Sequence, residues 1–309
     1  MRGAAERLAH AQTQRASAGR AGEEDLTGRT VLLSLGGNAI LPGRGAGTIG
    51  EQYRVTQASM THVADLLESG ARVIISHGNG PIVGNILIRN ELARDRIPPM
   101  PLDVCGADSQ GGIGYMIQQC LQNILHERRI PRQVATVLTQ VVVGADDPAF
   151  LRPTKPIGPF YTESEARQLA REKGWTMAQD SGRGVRRVVP SPRPLRIVEE
   201  SVIRSLFEAG HVVIAAGGGG IPVVEEHGRL RGVEAVIDKD LASILLAQAV
   251  KVDTVVNVTA VDQVALDFGR PTQRAIAVMT AAEASRYLEE GQFPEGSMGP
   301  KIRGAVQFL

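Results

Sequence analysis

Three predominantly apolar runs along the chain each end in a glycine-rich turn. Runs without polar alternation are typical of strands that are covered on both faces of a parallel sheet. If these strands are neighbours in one sheet, their turns converge on a single crevice, where backbone N–H groups can bind an anion. The runs cover residues 31–35, 73–76 and 212–216, and the turns are Gly36-Gly37-Asn38, His77-Gly78-Asn79-Gly80 and Gly217-Gly218-Gly219-Gly220.

Segments with a helical spacing of apolar residues separate these runs. The pattern predicts helices over residues 51–69, 107–128 and 241–250, and a further strand over 254–258. Strands that alternate with helices indicate an α/β fold. We expect it to be doubly wound and arranged in two lobes, with ligands at the carboxyl ends of the strands.

Two parts of the chain depart from this pattern. Residues 1–28 have no apolar period and are predicted to be a disordered extension, so the folded domain is expected over residues 29–309. Residues 144–196 are rich in proline, and residues 152–196 include ten basic and four acidic residues. A basic surface segment that is exposed to solvent would have this composition. The sharper interpretation is a small protruding subdomain that acts as a lid over an anionic site.

Composition narrows the class of protein. The 309 residues are 43% hydrophobic and 22% charged, as in globular proteins, and no apolar run approaches the roughly 18 residues of a membrane span. The net charge of +1 provides no overall attraction to nucleic acid or to anionic lipid. Cys105 and Cys120 cannot form a disulfide framework. We therefore expect a cytoplasmic protein with no nucleic-acid or membrane partner.

Lysine is rare in this chain, which has five lysines and 29 arginines. A lysine kept against such a bias is a candidate for a position that needs a compact ammonium group rather than a guanidinium. Lys155, Lys239 and Lys301 lie in segments rich in Gly, Pro or Asp, where we expect chemistry. Lys173 and Lys251 are interpreted as solvated surface residues.

Several common catalytic motifs are absent from the sequence. There is no GxxxxGK[ST] phosphate-binding loop and no GxSxG nucleophile motif. A GxGxxG match at residues 45–50 begins ten residues beyond a strand end, and the next strand lacks an acidic ribose ligand, so we reject a Rossmann dinucleotide site. The six histidines lack metal-ligand spacing. His77 is interpreted as a hydrogen-bonding group beside the site rather than as a base.

The clearest candidates for catalytic residues lie in two short segments. They are Asp238-Lys239-Asp240 at a predicted helix start and Gly299-Pro300-Lys301 near the C-terminus. Asp238 suits a helix N-cap. A lysine in the first turn opposes the helix dipole, which is better explained if its ammonium group faces an anion. Phosphoryl transfer needs positive charge and alignment at the transferred group, and lysines held by a carboxylate supply both.

Eight segments, in order, resemble carbamate kinases of the amino-acid kinase superfamily from about residue 29 to residue 309. They are LGGNA at 35–39, HGNGP at 77–81, PLDV at 101–104, GIGYM at 112–116, KPIGPF at 155–160, GGGGIPV at 217–223, GVEAVIDKD at 232–240 and GSMGPK at 296–301. The resemblance implies an open αβα sandwich with a mainly parallel central sheet, and a homodimer. It also implies a reversible phosphoryl transfer between Mg-ATP and carbamate that gives carbamoyl phosphate and ADP. The physiological direction and the pathway, whether arginine, purine or allantoin catabolism, stay open.

Matched position by position, the resemblance implies roles for individual residues. Lys239 would stabilise the transferring phosphoryl group, and Lys301 would hold nucleotide phosphates. Lys155 would reach in from the protruding subdomain, and Asp240 would keep the lysines in place. Mg²⁺ would be carried by the nucleotide rather than by protein side chains. The phosphoryl path would be lined by Gly36, Gly37 and Asn38, the carbamate cradled by Gly78, Asn79 and Gly80, and the nucleotide bound by Gly217, Gly218, Gly219, Lys239, Met298 and Lys301.

The chain departs from the family pattern at three places. Ser34 stands where Ala is usual, Ala260 stands where many relatives carry Asp on the nucleotide side, and residues 1–28 have no counterpart. None of these departures removes a residue assigned to the chemistry.

Two alternative functions stay open. One is another acyl-phosphate kinase of the superfamily, acting on glutamate or N-acetylglutamate, although the HGNGP segment suits a smaller substrate. The other is a nucleotide-binding regulator without turnover, against which the intact lysines and Asp240 argue.

Overall fold

A computed structural model of the chain describes residues 26–41, 47–180, 184–259, 261–294 and 297–309. Five sequence features lie wholly or partly outside these described residues. They are residues 1–25 of the predicted extension, the first two residues of the GxGxxG match, residues 181–183 of the predicted lid, Ala260, and the first residue of the GSMGPK segment.

The described residues form fourteen β-strands and eight α-helices. The strands are β1 (Thr30–Leu35), β2 (Arg72–His77), β3 (Val134–Thr136), β4 (Gln140–Val143), β5 (Lys155–Tyr161), β6 (Met177–Gln179), β7 (Val185–Val189), β8 (Pro194–Ile197), β9 (Val212–Ile214), β10 (Ile221–Glu226), β11 (Arg229–Gly232), β12 (Thr254–Val258), β13 (Val264–Leu266) and β14 (Arg274–Ile276). The helices are α1 (Ile49–Glu68), α2 (Gly80–Ala93), α3 (Leu102–Glu127), α4 (Glu163–Lys173), α5 (Glu200–Glu208), α6 (Lys239–Val250), α7 (Ala281–Glu289) and α8 (Met298–Phe308).

The central sheet is parallel and has the strand order β12-β1-β2-β9-β3. The three predicted apolar strands, β1, β2 and β9, are adjacent in this order. Because parallel strands place their carboxyl ends at one edge, the three glycine-rich turns lie side by side there. The prediction that these turns share one edge is confirmed.

Helices cover both faces of the central sheet. Alternate residues of β1 point to opposite faces: Val31 and Leu33 pack in a core with α1 and α3, whereas Leu32 packs in a second core with α5 and α6. Strands β1, β2 and β9 are buried along almost their whole length, which explains why their sequences lack polar alternation. The predicted α/β fold, an αβα sandwich around a mainly parallel sheet, is confirmed.

A second sheet has the order β11-β10-β4-β8, in which only β10 and β4 run parallel. The proline-rich part of the chain forms a separate antiparallel sheet, β5-β7-β6, with α4 beside it. Strand β8, at the end of the predicted lid over 144–196, belongs to the second sheet. The separate sheet itself spans residues 155–189, and its action as a lid stays a prediction.

Candidate active site

The first turn of α6 carries three consecutive charged residues. The Asp238 side chain accepts a hydrogen bond from the backbone N–H of Asp240 at 2.9 Å, so Asp238 is the N-cap as predicted. Lys239 is the first residue of the helix, at the edge of the sheet where the glycine turns lie. The cap fixes the chain direction at this point, and thereby the positions of the Lys239 and Asp240 side chains.

The buried carboxylate of Asp240 joins two lysines from different helices. Its Oδ1 lies 3.0 Å from Nζ of Lys239, and its Oδ2 lies 2.8 Å from Nζ of Lys301 on α8. One negative charge thus holds two positive charges in place, which leaves a net positive charge for an anion. The structure therefore brings together three of the four residues assigned to catalysis.

The fourth of these residues, Lys155, has a different partner. Its Nζ donates a hydrogen bond to Oδ2 of Asp238 at 2.7 Å. Lys155 is the first residue of β5 in the separate sheet, so this ion pair connects that sheet to the start of α6. Asp238 therefore both caps α6 and binds Lys155, and the sequence indicated only the first of these contacts.

Burial and neighbouring charges shift the pKa values of three of these groups. Burial lowers the pKa of Lys239, with a further lowering by Lys301, while Asp240 opposes both effects. Burial raises the pKa of Asp238, but the Lys155 ammonium group, the backbone N–H of Asp240 and the charge of Lys301 together lower it more, so the net pKa is lowered. Burial lowers the pKa of His77 to about 4. His77 is therefore neutral near pH 7, and its Nδ1 lies 3.1 Å from the carbonyl oxygen of Gly78.

Two adjacent cavities open beside these lysines. The first, of about 450 Å³, is lined by the turn after β1 together with Lys239 and Lys301. The second, of about 280 Å³, is lined by Met298 and Lys301 of α8 and by mostly apolar residues. Lys301 and Thr259 line both cavities, so a ligand in one lies next to a ligand in the other. The remaining lining of the first cavity consists of Gly36, Gly37, Asn38, Ala39, Ser59 and Val258.

The turn after β2 lies directly against Lys239. A Cβ built on Gly78 would be 3.5 Å from Cδ of Lys239, whereas one built on Gly80 would meet no described atom within 4 Å. Asn79 is buried, and its side-chain amide donates to Oγ of Ser109 at 2.8 Å. The turn is thus packed on one side and open at Gly80.

The glycines of the turn after β9 are packed against protein. A Cβ on Gly217 would overlap the ring of His77, and a Cβ on Gly218, which has φ +66°, would overlap the side-chain amide of Asn79. A Cβ on Gly219 would likewise overlap the carbonyl oxygen of Ile237. Among the described residues, the linings of the two cavities include none of these three glycines. Their assignment to the nucleotide stays a prediction.

Two serines that sequence analysis did not assign to the site contact it. Nζ of Lys239 donates to Oγ of Ser34 at 2.8 Å, and Oγ of Ser243 donates to the same oxygen at 3.2 Å. The signal in the sequence was Ser34 itself, a hydroxyl inside an apolar strand next to a glycine turn.

The interpretation of Lys173 as a solvated residue is wrong. Its ammonium group pairs with Glu91 of α2 and lies 4.8 Å from the ring centroid of Trp175. Burial lowers the pKa of this lysine. Lys173 therefore connects the end of α4 to α2, whereas Lys251 at the far end of α6 is exposed as expected.

Within the described residues, no group of three or more His, Cys, Asp or Glu side chains is arranged to hold a metal ion. No described helix is long and apolar enough to cross a membrane.

Comparison with known proteins identifies the family. Residues 29–309 match the amino acid kinase family. A carbamate kinase of Thermococcus kodakarensis is 49% identical over 284 residues, which cover 91% of this chain and 90% of the relative. A carbamate kinase of Clostridium perfringens is 46% identical over 282 residues, which cover 90% of each protein.

A solved structure supports the same assignment. Carbamate kinase from Giardia lamblia bound to AMP-PNP superposes with a TM-score of 0.84 at 41% identity, covering 91% of this chain and 89% of that chain. The resemblance that the eight segments indicated is thereby confirmed, and this chain belongs to the amino acid kinase family.

Proposed function

We propose that the chain is a carbamate kinase, which transfers a phosphoryl group reversibly between ATP and carbamate to give carbamoyl phosphate and ADP. The observation that carries the proposal is the Lys239–Asp240–Lys301 cluster on the wall of a cavity that is closed by the glycine turn after β1. Curated carbamate kinases nearly half identical over nine-tenths of the chain support the choice of acceptor.

The reaction needs positive charge and alignment rather than a base. A carbamate oxygen is already anionic, so the main barrier is to bring it in line with a phosphate that repels it. Lys239 and Lys301 neutralise charge on the transferring group, and Asp240 fixes their positions. Lys155 adds a third ammonium group when the separate sheet closes over the site. His77, which is neutral, supplies no proton.

The two cavities suggest where each substrate lies. We place the transferring phosphoryl group in the 450 Å³ cavity along Gly36, Gly37 and Asn38. The nucleotide extends into the mostly apolar 280 Å³ cavity past Met298, because Lys301 lines both. The turn Gly78-Asn79-Gly80 cradles the carbamate. Mg²⁺ enters with the nucleotide as part of the substrate.

We also propose that the protein is a homodimer in the cytoplasm. One face of α3 supports self-association, because Val104 and Tyr115 are 39% and 58% exposed and Gly111 and Gly112 lie between them in an open stripe. Size-exclusion chromatography with light scattering is expected to give a dimer. Gly112→Arg is expected to shift it toward the monomer without unfolding, and a monomeric wild type would remove this part of the proposal.

The activity is tested by measuring ATP formation from ADP, Mg²⁺ and carbamoyl phosphate with the purified full chain. Lys239→Ala is expected to lower kcat about 100- to 1,000-fold, by analogy with the removal of one preorganised donor. Lys251→Asn, at the exposed end of the same helix, is the matched control and is expected to keep wild-type kcat.

The alternative functions give different results. No ATP formation, with acyl phosphates of glutamate or N-acetylglutamate accepted instead, would assign another acyl-phosphate kinase. Nucleotide binding by calorimetry without any turnover would assign a regulator. A loss below tenfold in a folded Lys239→Ala variant would remove Lys239 from the central role.

A further inference from the structure

Three buried hydroxyl groups lie in a row behind Lys239. Ser34 is on β1, Ser76 is opposite it on β2, and Ser243 is one helical turn beyond Lys239 on α6. Oγ of Ser76 lies 2.8 Å from Oγ of Ser243, which donates to Oγ of Ser34 at 3.2 Å. A hydroxyl costs free energy to bury unless it is hydrogen-bonded. The three serines therefore form one hydrogen-bonded row between the central sheet and α6.

This row ends at the ammonium group of Lys239. Nζ of Lys239 donates to Oγ of Ser34 at 2.8 Å and lies 3.0 Å from Oδ1 of Asp240. An ammonium group has three N–H donors. Ser34 accepts a hydrogen bond from one of them, whereas the contact with Oδ1 of Asp240 is an ion pair in which this oxygen accepts no hydrogen bond from the described residues. N–H donors are therefore left for an anion in the 450 Å³ cavity that Lys239 lines.

We propose that Ser34 is a positioning residue that aims Lys239 at the transferring phosphoryl group. Ser243 fixes the Ser34 hydroxyl, the hydroxyl fixes one N–H of the ammonium group, and the charge of Asp240 holds the ammonium group in place. The rotation of the ammonium group is thereby restricted, and its remaining N–H groups face the cavity and Asp240. The inference rests on the proposed role of Lys239.

The contact also favours the charged state of Lys239. The side chain is largely buried, and the Ser34 oxygen replaces part of the water that the ammonium group has lost. Removal of this acceptor leaves the burial unchanged and lowers the pKa of Lys239 further. The other titratable groups that interact with Lys239 are His77, Asp238, Asp240 and Lys301. They stay in place when Ser34 is changed.

The test is Ser34→Ala in the full chain, assayed as ATP formation across a pH series. Loss of one hydrogen bond to a charged group is expected to lower kcat about five- to tenfold, while the KM for ADP changes less than twofold. The alkaline limb of the kcat profile is expected to move to lower pH. Ser243→Ala, which frees the Ser34 hydroxyl, is expected to shift the limb in the same direction by a smaller amount.

Thr56→Val is the matched control for the loss of a buried hydroxyl. Thr56 is fully buried on α1, and its hydroxyl contacts the sulfur of Met116, away from Lys239. We expect this variant to keep the wild-type kcat and pH profile. A Ser34→Ala enzyme with wild-type kcat and an unmoved alkaline limb would overturn the inference if Lys239→Ala still lowers kcat about 100-fold or more. Retained turnover in Lys239→Ala would instead overturn the role of Lys239, and the inference with it.

Discussion

Lys155 and Asp238 form a 2.7 Å ion pair that connects the separate antiparallel sheet to the first turn of α6. The same carboxylate accepts a hydrogen bond from the backbone N–H of Asp240. Asp238 therefore holds the side chain of Lys155 next to Lys239 and Asp240, the two residues that follow Asp238 in the chain. This contact gives the separate sheet a fixed point at the site, which a lid needs if its lysine is to reach a substrate.

We expect Asp238→Asn to lower kcat about tenfold, because a hydrogen bond to a charged group is lost while the N-cap acceptor is kept. Asp238→Ala loses the cap as well, and is expected to reduce the free energy of unfolding by about 1 kcal/mol more. Steady-state kinetics and urea unfolding of both variants separate the two effects.

The double variant Lys155→Ala/Asp238→Asn is the control for this prediction. If Asp238 acts through Lys155, Asp238→Asn costs no further activity once Lys155 is absent. Independent, additive losses would show that the ion pair does not transmit the effect.

Asp240→Asn is expected to lower kcat at least 100-fold, because two ammonium groups lose the charge that holds them together. Loss of one charge from a buried cluster is also expected to destabilise the fold, by about 3 to 5 kcal/mol. Kinetics at saturating substrate and thermal unfolding measure the two effects. Asp147→Asn, at the N-cap of a 3₁₀ turn away from the lysines, is the matched control. Wild-type kcat in Asp240→Asn would contradict the bridging role.

The position of the three glycine-rich turns at one edge of the central sheet could be predicted from the sequence, because it depends on local patterns. Apolar runs followed by glycines identify buried parallel strands and their turns, and parallel pairing then brings the turns together. Lysine scarcity similarly identified Lys155, Lys239 and Lys301, all of which lie within this region of the fold.

Asp240 was expected to hold the lysines, but two other partners, Asp238 for Lys155 and Ser34 for Lys239, could not be predicted because they are distant in sequence. Lys155 and Asp238 are 83 residues apart, and Lys239 and Ser34 are 205 apart. Helical spacing also did not indicate that Lys173 packs on an aromatic ring, since a basic residue at a helix end ordinarily faces water. These contacts follow from how separate elements dock, which residue spacing does not encode.

Gly217→Ala is expected to destabilise the fold by about 1 to 3 kcal/mol, because the added Cβ overlaps the buried ring of His77. The loss in the free energy of unfolding should be smaller when the ring is removed. Gly217→Ala in a His77→Ala background is therefore expected to lower the free energy of unfolding by less than half as much. Urea unfolding of the two single variants and the double variant gives the coupling free energy. Additive losses would show that the glycine is required for another reason.

The buried imidazole of His77 makes stability depend on pH. Its pKa is about 4 in the folded chain and about 6.5 when exposed, so the unfolded chain binds the proton more tightly between these values. Stability therefore falls as pH decreases from 6.5 toward 4, by about 2 kcal/mol between pH 7 and pH 5. Urea unfolding at both pH values is expected to show this loss in the wild type and a smaller one in His77→Gln. His62→Gln, an exposed histidine, is the control. An equal loss in wild type and His77→Gln would mean that His77 is protonated in the folded chain, beside the ammonium group of Lys239.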